Sequence, residues 1–475
     1  MRWKENCLRC APRPTTKRRA PRPFSRSARL YFTGADPHRH LRPERQSGHA
    51  PSTPLLSQPR IRNTSMSDGK HVFSGLKVLD LASYIAGPAA TTILADFGAD
   101  VIKIEPPGTG DVYRFFSIIP PNPVADTNYA WQLTNRNKRS IALDLKSEGA
   151  REVLTRLVRW ADVLVVNFPP RVRAALGVTY EDLAPLNPKL IYADITGYGA
   201  QGPEADTPGF DVTAYWARSG LMEVTHDAGS PPTLPIPGIG DHATATTLYA
   251  AIVTALYERT RTGKGGHVTT SLIANGIWAA AAWVEGGLNG GKFFPQHDRK
   301  SPPNALLNPY QTSDGRWILL VAAQRKEWAP FVRAINRPEL LDDPRFADEQ
   351  LRVKNAAALV DILDPLFAGQ TLAFWKQTLT AERVIFGVVQ IAEEIINDPQ
   401  LEINGIVVPL EVPGQPATKT VSNPIHIASQ QKVKPVAAPH LGEHGAEILA
   451  EMGFDDAEIA RLQDAGVVAR FGDET

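Results

Sequence analysis

From residue 75 onward, short unbroken apolar runs alternate with longer stretches whose apolar positions recur every three or four residues. Leu76 to Leu81 reads as a buried strand, Gly87 to Phe97 as a helix that opens on small residues, and Ala99 to Ile104 as a second strand. That spacing implies a parallel pair joined by a right-handed crossover. The unit recurs. Ser147 is placed to cap a helix whose Ala150, Val153, Leu154, Leu157, Val158 and Ala161 share one face, and Asp162 to Val166 follows as a strand. Ile141 to Leu145, Leu190 to Ile195 and His267 to Ser271 supply further strands. The pattern predicts the α/β class, with a doubly wound, Rossmann-like large domain whose first part covers residues 72–272.

The rhythm changes after that point. An Ala-rich helix runs to Val284, and Gly286 to Gly291 reads as a flexible linker or a mobile lid inside a connecting segment, 273–300. Residues 301–395 read as a smaller α+β domain, with the turn Asp314-Gly315 ahead of a strand from Arg316 to Val321. Residues 396–470 mix short strands with helices at Gly445 to Met452 and Asp456 to Gln463, and are expected to return to the large domain.

Charge divides the chain. Residues 1–65 carry a net +12 and the remaining residues a net −11, a split hidden by the overall +1. The basic leader lacks apolar periodicity, so residues 1–70 are expected to be disordered, as a transit peptide or as sequence upstream of a true start at Met66. A basic nucleic-acid arm fits less well, because aromatic interleaving is missing. Both cysteines, Cys7 and Cys10, lie in this leader, so chemistry in the body must come from carboxylates, hydroxyls, imidazoles and amides. The longest apolar candidate for a membrane span, Ile273 to Val284, is too short and contains Asn275. The body is therefore expected to be soluble and cytoplasmic, or mitochondrial if the leader is a transit peptide, with no nucleic-acid or membrane partner.

Three motifs carry possible chemistry. Gly197 to Gly202 spells G-x-G-x-x-G after a strand, but Pro203, Glu204 and Pro208 follow it, so no helix N-terminus is offered to a dinucleotide. Asn135 to Ser140 holds three cations, Arg136, Lys138 and Arg139, that suit either phosphate contacts or a solvated turn. Asp241, in the turn Gly238-Ile239-Gly240-Asp241-His242, precedes a long Ala/Thr-rich segment running to about Arg261 and reads locally as a helix N-cap. His242 beside it points elsewhere at a helix start and reads as structural.

Several segments together resemble the family III CoA-transferases. They are Gly75 to Leu81, Gly87-Pro88, Asp96 to Glu105, Asn137 to Ser140, Asn167-Phe168, Asn187-Pro188, Gly202-Pro203, Gly209 to Asp211 and Gly240-Asp241. Asn308 to Tyr310, Asp314-Gly315, Asp343 to Phe346 and Leu441 to His444 follow in order, over residues 72–470. The resemblance implies that Asp241 is the nucleophile, forming an aspartyl anhydride and then an aspartyl-CoA thioester before an acceptor acid takes the CoA, with Asp211 ordering the thioester end. A carboxylate with an ordinary pKa near ~4 is already ionised at pH 7 and needs no general base. CoA contacts carry over to Tyr84, Ile85 and Ala86; to Leu143, Asp144, Leu145 and Lys146; to Asn167, Phe168 and Pro169; and to Pro208, Gly209 and Phe210. Pro106 and Ala175 stand where relatives often hold basic residues, leaving Lys146 with Arg171 or Arg173 to meet the phosphates. CoA thioesters are implied as substrates, with no tightly bound cofactor and no metal. The implied assembly is a homodimer of interlocked rings. Acyl-CoA racemases resemble the chain too and are the alternative, but they place a histidine where this chain has Phe210, which cannot move a proton. Tyr215, Trp216 and Phe293-Phe294 hint at a bulky acyl group, although aromatics at such positions more often fill a core.

Overall fold

The computed structural model describes residues 71–472 apart from 119–121, 294, 323 and 416–417. The expectations for the leader and for Phe294 lie outside these residues. Six strands form one parallel sheet: β1 (Lys77–Asp80), β2 (Asp100–Glu105), β3 (Lys138–Ala142), β4 (Val163–Val166), β5 (Ile191–Thr196) and β6 (Gly266–Ser271). Their order is β3-β2-β1-β4-β5-β6, and every neighbouring pair is parallel. This is the Rossmann order, in which the chain builds outward from β1 in one direction and then restarts beside it at β4.

Both faces of the sheet are covered, which is why the strands read as unbroken apolar runs such as the fully buried Val-Leu-Val-Val of β4. On one face the helix Ala150–Trp160 buries Val153, Leu154, Leu157 and Val158 against Leu79, Ile102 and Leu164. Ile448, Leu449 and Leu462, from the C-terminal helices Gly445–Glu451 and Asp456–Asp464, join the same core. On the other face lie the helices Ala86–Asp96 and Ile239–Thr262. Ala86–Asp96 is buried along its whole length, and a Cβ on Gly87 would meet the Ala82 Cβ at 2.2 Å. Small residues let this helix start directly against the exit of β1.

A separate antiparallel sheet, β7 (Leu307–Gln311), β8 (Trp317–Val321) and β9 (Phe386–Val388), has its own core of Tyr310, Phe331, Phe346, Leu359, Phe367 and Trp375. The strands Val407–Leu410 and Thr418–Val421 pair antiparallel.

Three sequence expectations are corrected. β3 begins at Lys138 rather than Ile141, so the basic cluster is neither a solvated turn nor a phosphate site. Arg136 is 2% exposed and grips Asp96 through Nε and an Nη at 2.9 and 2.7 Å, Lys138 is 2.8 Å from Asp80 Oδ2, and Arg139 pairs with Asp100 at 2.7 Å. The helix after β3 is capped at Gly149, not Ser147. The segment read as a loop from Gly286 is helical as far as Leu288, the end of the helix Ala281–Leu288.

Candidate functional site

In a sheet of this order, the crevice outside the carboxyl ends of β1 and β4 is where the two halves diverge and where ligands bind. The loops leaving these strands line a cavity of about 220 Å³ here. Ser83 to Ala86 follow β1, Asn167 to Pro170 follow β4, and Gly197 leaves β5. The Asn167 side chain fastens the first two loops together: its Oδ1 accepts from the Ser83 N–H at 2.9 Å and its Nδ2 donates to the Ser83 carbonyl at 2.8 Å. The Asn167 amide thus serves to join the two loops, while the residue itself lines the cavity.

Tyr84 sits in the left-handed region at φ 64°, a conformation that a non-glycine residue holds only when its surroundings enforce it. The enforcement is visible. Asp111 Oδ1 accepts from the N–H groups of both Tyr84 and Tyr113, at 3.1 and 3.0 Å. Lys103 Nζ lies 3.0 Å from Asp111 Oδ2, close enough for an ion pair though not aligned as a hydrogen bond, and also donates to the Ala82 carbonyl. Lys103 stands between Asp111 and Asp80, and Asp80 also holds Lys138. Burial works against the ionised form of Asp80, but Lys103 and Lys138 outweigh it and lower its pKa; burial drives Lys138 down to about 8. The floor of the cleft is a charge-balanced, desolvated network that fixes the backbone above it.

The opposite wall depends on glycine. Gly197 and Gly209 lie backbone to backbone, and a Cβ on either would come within 2.8 Å of the other. Pro208, Gly209 and Phe210 then reach the cavity, and the Phe210 ring meets Tyr84 edge to face at 5.7 Å. Asp211 opens a short π-helical turn, Asp211–Ala217, a distortion frequent at functional sites. Its carboxylate lies behind the cavity wall, 3% exposed, and takes the first N–H groups of the helix Ile239–Thr262: Gly238 N at 2.5 Å and Gly240 N at 3.0 Å. A Cβ on Gly240 would fall 2.3 Å from Asp211 Oδ1 and 2.2 Å from the Tyr215 ring, so only glycine admits this contact.

This geometry corrects the local reading of Asp241. The N-cap is Gly238 at φ 99°, the helix N-terminus is satisfied from a distance by Asp211, and Asp241 is the third helical residue. Asp241 lines the cavity, partly buried, and no hydrogen bond or ion pair reaches its carboxylate among the described residues. Burial and then the charge of Asp211 push its pKa up to about 7. This departs from the ordinary carboxylate expected from the sequence, because burial and a neighbouring acid both disfavour the ionised form. Asp211 itself is raised by burial against the N–H donors of Gly238, Gly240 and Ile239. Tyr113 is also raised, by burial and then by Asp241, which marks it as a neighbour of that carboxylate that the sequence did not reveal. His242 is exposed and makes no hydrogen bond to Asp241 among the described residues.

Of the expected site residues, Tyr84, Ile85, Ala86, Asn167, Phe168 and Pro169 line the cavity together with Pro208, Gly209, Phe210 and Asp241. Leu143, Asp144, Leu145 and Lys146 do not. Leu143 is core, paired with Val468, and Asp144 N donates to the Val467 carbonyl; this segment leaves β3, two strands from β1 and roughly 10 Å away by strand spacing. Arg173 is unavailable to phosphates, since it is buried 3.0 Å from Asp194, whereas Arg171 and Lys146 are exposed. Tyr215 packs under Gly240, Trp216 lies against it, and Phe293 packs on Trp283, so none of these three lines the cavity.

Fold and cleft define an α/β protein with a crevice at the switch point of a Rossmann-order sheet. The model for CoA-transferase family III matches residues 73–445, and the chain belongs to that family. An (R)-2-hydroxy-4-methylpentanoate CoA-transferase of Clostridioides difficile is 32% identical over 399 residues, spanning 84% of this chain and 99% of that protein. A succinyl-CoA:glutarate CoA-transferase of Homo sapiens is 33% identical over 401 residues, spanning 83% of this chain and 89% of that one. The crystal structure of a CAIB/BAIF family protein from Brucella suis superposes with a TM-score of 0.72 at 30% identity, covering 81% of this chain and 100% of its own.

Proposed function

We propose that the chain moves CoA from an acyl-CoA donor to a carboxylic acid through covalent intermediates on Asp241. The observation that carries this reading is the cavity carboxylate itself: lining the cavity, without a hydrogen-bond or ion-pair partner among the described residues, and made basic by burial and by Asp211. The Asp241 carboxylate attacks the thioester carbonyl, the C–S bond breaks, and an aspartyl–acyl anhydride and CoA thiolate result. The thiolate attacks the aspartyl carbonyl of the anhydride, releasing the donor acid and leaving an aspartyl-CoA thioester. An acceptor carboxylate repeats the sequence in reverse and leaves as the new acyl-CoA. A thiol with a pKa around 8.5 is a good leaving group, so each exchange is nearly balanced and needs no metal or redox group.

The surrounding residues have supporting roles. Asp211 holds the helix end so that Asp241 faces the thioester, and Tyr84, Ile85 and Phe168 contact the pantetheine arm. Most of CoA must lie outside a cavity this small, along the sheet edge toward Leu143 to Lys146, with Lys146 and Arg171 as phosphate partners. Phe210 has no proton to exchange, which favours CoA transfer over racemisation. A homodimer of interlocked rings accounts for the helix Ala281–Leu288, which buries no residue within the chain although Trp278 and Leu288 at its flank and end are 80% and 78% exposed. Intact-protein mass spectrometry after incubation with acyl-CoAs tests the mechanism. A CoA-sized adduct that disappears in Asp241→Ala supports it, and turnover by that variant near the wild-type rate rejects it.

A further inference from the structure

We infer that the acids exchanged at this site are uncharged beyond their reacting carboxyl, that is, monocarboxylates with an apolar chain, and that the Tyr84–Phe210 pair selects them. The inference rests on the Asp241 reading above and concerns what surrounds that carboxylate. Ile85, Phe168, Ile195, Phe210 and Leu272 line the cavity beside the uncharged polar residues Ser83, Thr196 and Thr207. Among the described residues, the titratable groups other than tyrosine at or directly behind that lining, Asp241 and Asp211, are both acids.

A second carboxylate on the acyl chain would need a cation or a helix N-terminus to replace its hydration. The helix end nearest the cavity, that of Ile239–Thr262, is already filled by Asp211. The cations beneath and beside the cleft are held by their own acids: Lys103 by Asp111 and Asp80, Lys138 by Asp80, Arg136 by Asp96, Arg173 by Asp194 and Arg114 by Glu105. Drawing any of them toward a substrate would strand a buried aspartate or glutamate. Arg171 is exposed, follows the lining residue Pro170 and does not itself line the cavity, and the reading above assigns it to the CoA phosphates. Two aromatic rings meet edge to face at the remaining wall, Tyr84 37% and Phe210 52% exposed, and they offer an apolar chain a surface that a charged group would desolvate at a loss.

The test compares donors on the full chain. The rate of CoA-adduct formation on Asp241 is followed by intact-protein mass spectrometry with butyryl-CoA and 3-phenylpropionyl-CoA against succinyl-CoA and glutaryl-CoA. The neutral-chain donors are expected to label at least about 100-fold faster, the order that a missing or unpaired group imposes on a site. Phe210→Arg, which places a cation at the apolar wall, is expected to narrow that ratio by tenfold or more. Adduct formation with equal or faster labelling by the dicarboxylic donors overturns this inference while leaving the nucleophile in place. No adduct from any of the four donors rejects the Asp241 mechanism, and this inference with it.

Discussion

Two cavities among the described residues stand in contrast, and the larger of the two is chemically the poorer. About 460 Å³ opens between the helices Trp328–Ala334, Ala356–Ala368 and Leu372–Ala381, lined by Asn336, Arg337, Glu339, Gln370 and apolar neighbours. Its charged pair, Arg337 and Glu339, is exposed and 3.4 Å apart, each neutralising the other. The smaller cavity, at the β1–β4 switch point, holds a carboxylate that no cation among the described residues neutralises and whose pKa burial and then Asp211 raise to about 7. On the function proposed above, the difference teaches that a reactive site is marked by an uncompensated group held by a compensated frame rather than by volume. Each prediction below tests one part of that contrast.

The largest effect belongs to Asp241. Asp241→Asn should lower the rate of CoA transfer by about 10³-fold or more, since the amide cannot form the anhydride. The same change should make the protein more stable above pH 7. The folded-state pKa of Asp241 is raised above its unfolded value of 3.8, so the folded state binds the extra proton between those values and the native carboxyl loses stability as pH rises toward 7. The stabilisation is on the order of a few kcal/mol at pH 8 from the size of that shift. Thermal melting of wild type and variant at pH 5 and pH 8 checks it: the gap should open at the higher pH, and a variant less stable than wild type at pH 8 rejects the account.

Next comes the frame. Gly240→Ala forces a Cβ against Asp211 and the Tyr215 ring, atoms that cannot swing away as a flexible chain end would. A loss of about 1–3 kcal/mol by overpacking is expected, together with a drop of at least tenfold in kcat/KM from displacement of the helix start. Denaturant unfolding and steady-state kinetics read the two. Retained activity would show that Asp211 need not touch the helix.

These two residues also show what the sequence could reveal. The β-α-β units were legible because strands buried on both faces must be apolar throughout, and the helix after Asp241 because its Ala/Thr-rich run has few alternatives. The start of β3 was hidden, since Arg136 and Lys138 look like surface residues until Asp96 and Asp80, some 40 and 58 residues away, are known to meet them. The role proposed for Asp241 rests on family resemblance and not on its local pattern, which pointed to a cap. The helix N–H groups are instead taken by Asp211, 27 residues before Gly238, and a contact across such a distance leaves no periodic trace. The glycines did leave one: Gly197, Gly209 and Gly240 are where backbone or side chains crowd too closely for a Cβ.

The pH profile separates the two acids at a smaller scale. With ionised Asp241 as the reacting form, kcat/KM for wild type should rise with pH through about 7 and level off above it. Asp211→Asn keeps an oxygen for the helix N–H groups but removes the charge that, after burial, raises Asp241. Its profile should therefore have its midpoint at lower pH, with the plateau reduced by less than about tenfold. A midpoint unmoved or shifted upward would mean that burial alone sets the Asp241 pKa.

The smallest effect is expected in the larger cavity. Arg337→Ala breaks an ion pair open to water on both sides, 45% and 60% exposed, and such pairs contribute little because solvent screens both charges. Melting temperature and kcat/KM should both stay within about twofold-equivalent limits of wild type, on the order of 0.4 kcal/mol. A marked loss of activity would instead make that cavity a second working site and break the contrast between the two, because nothing in its lining could then be treated as inert.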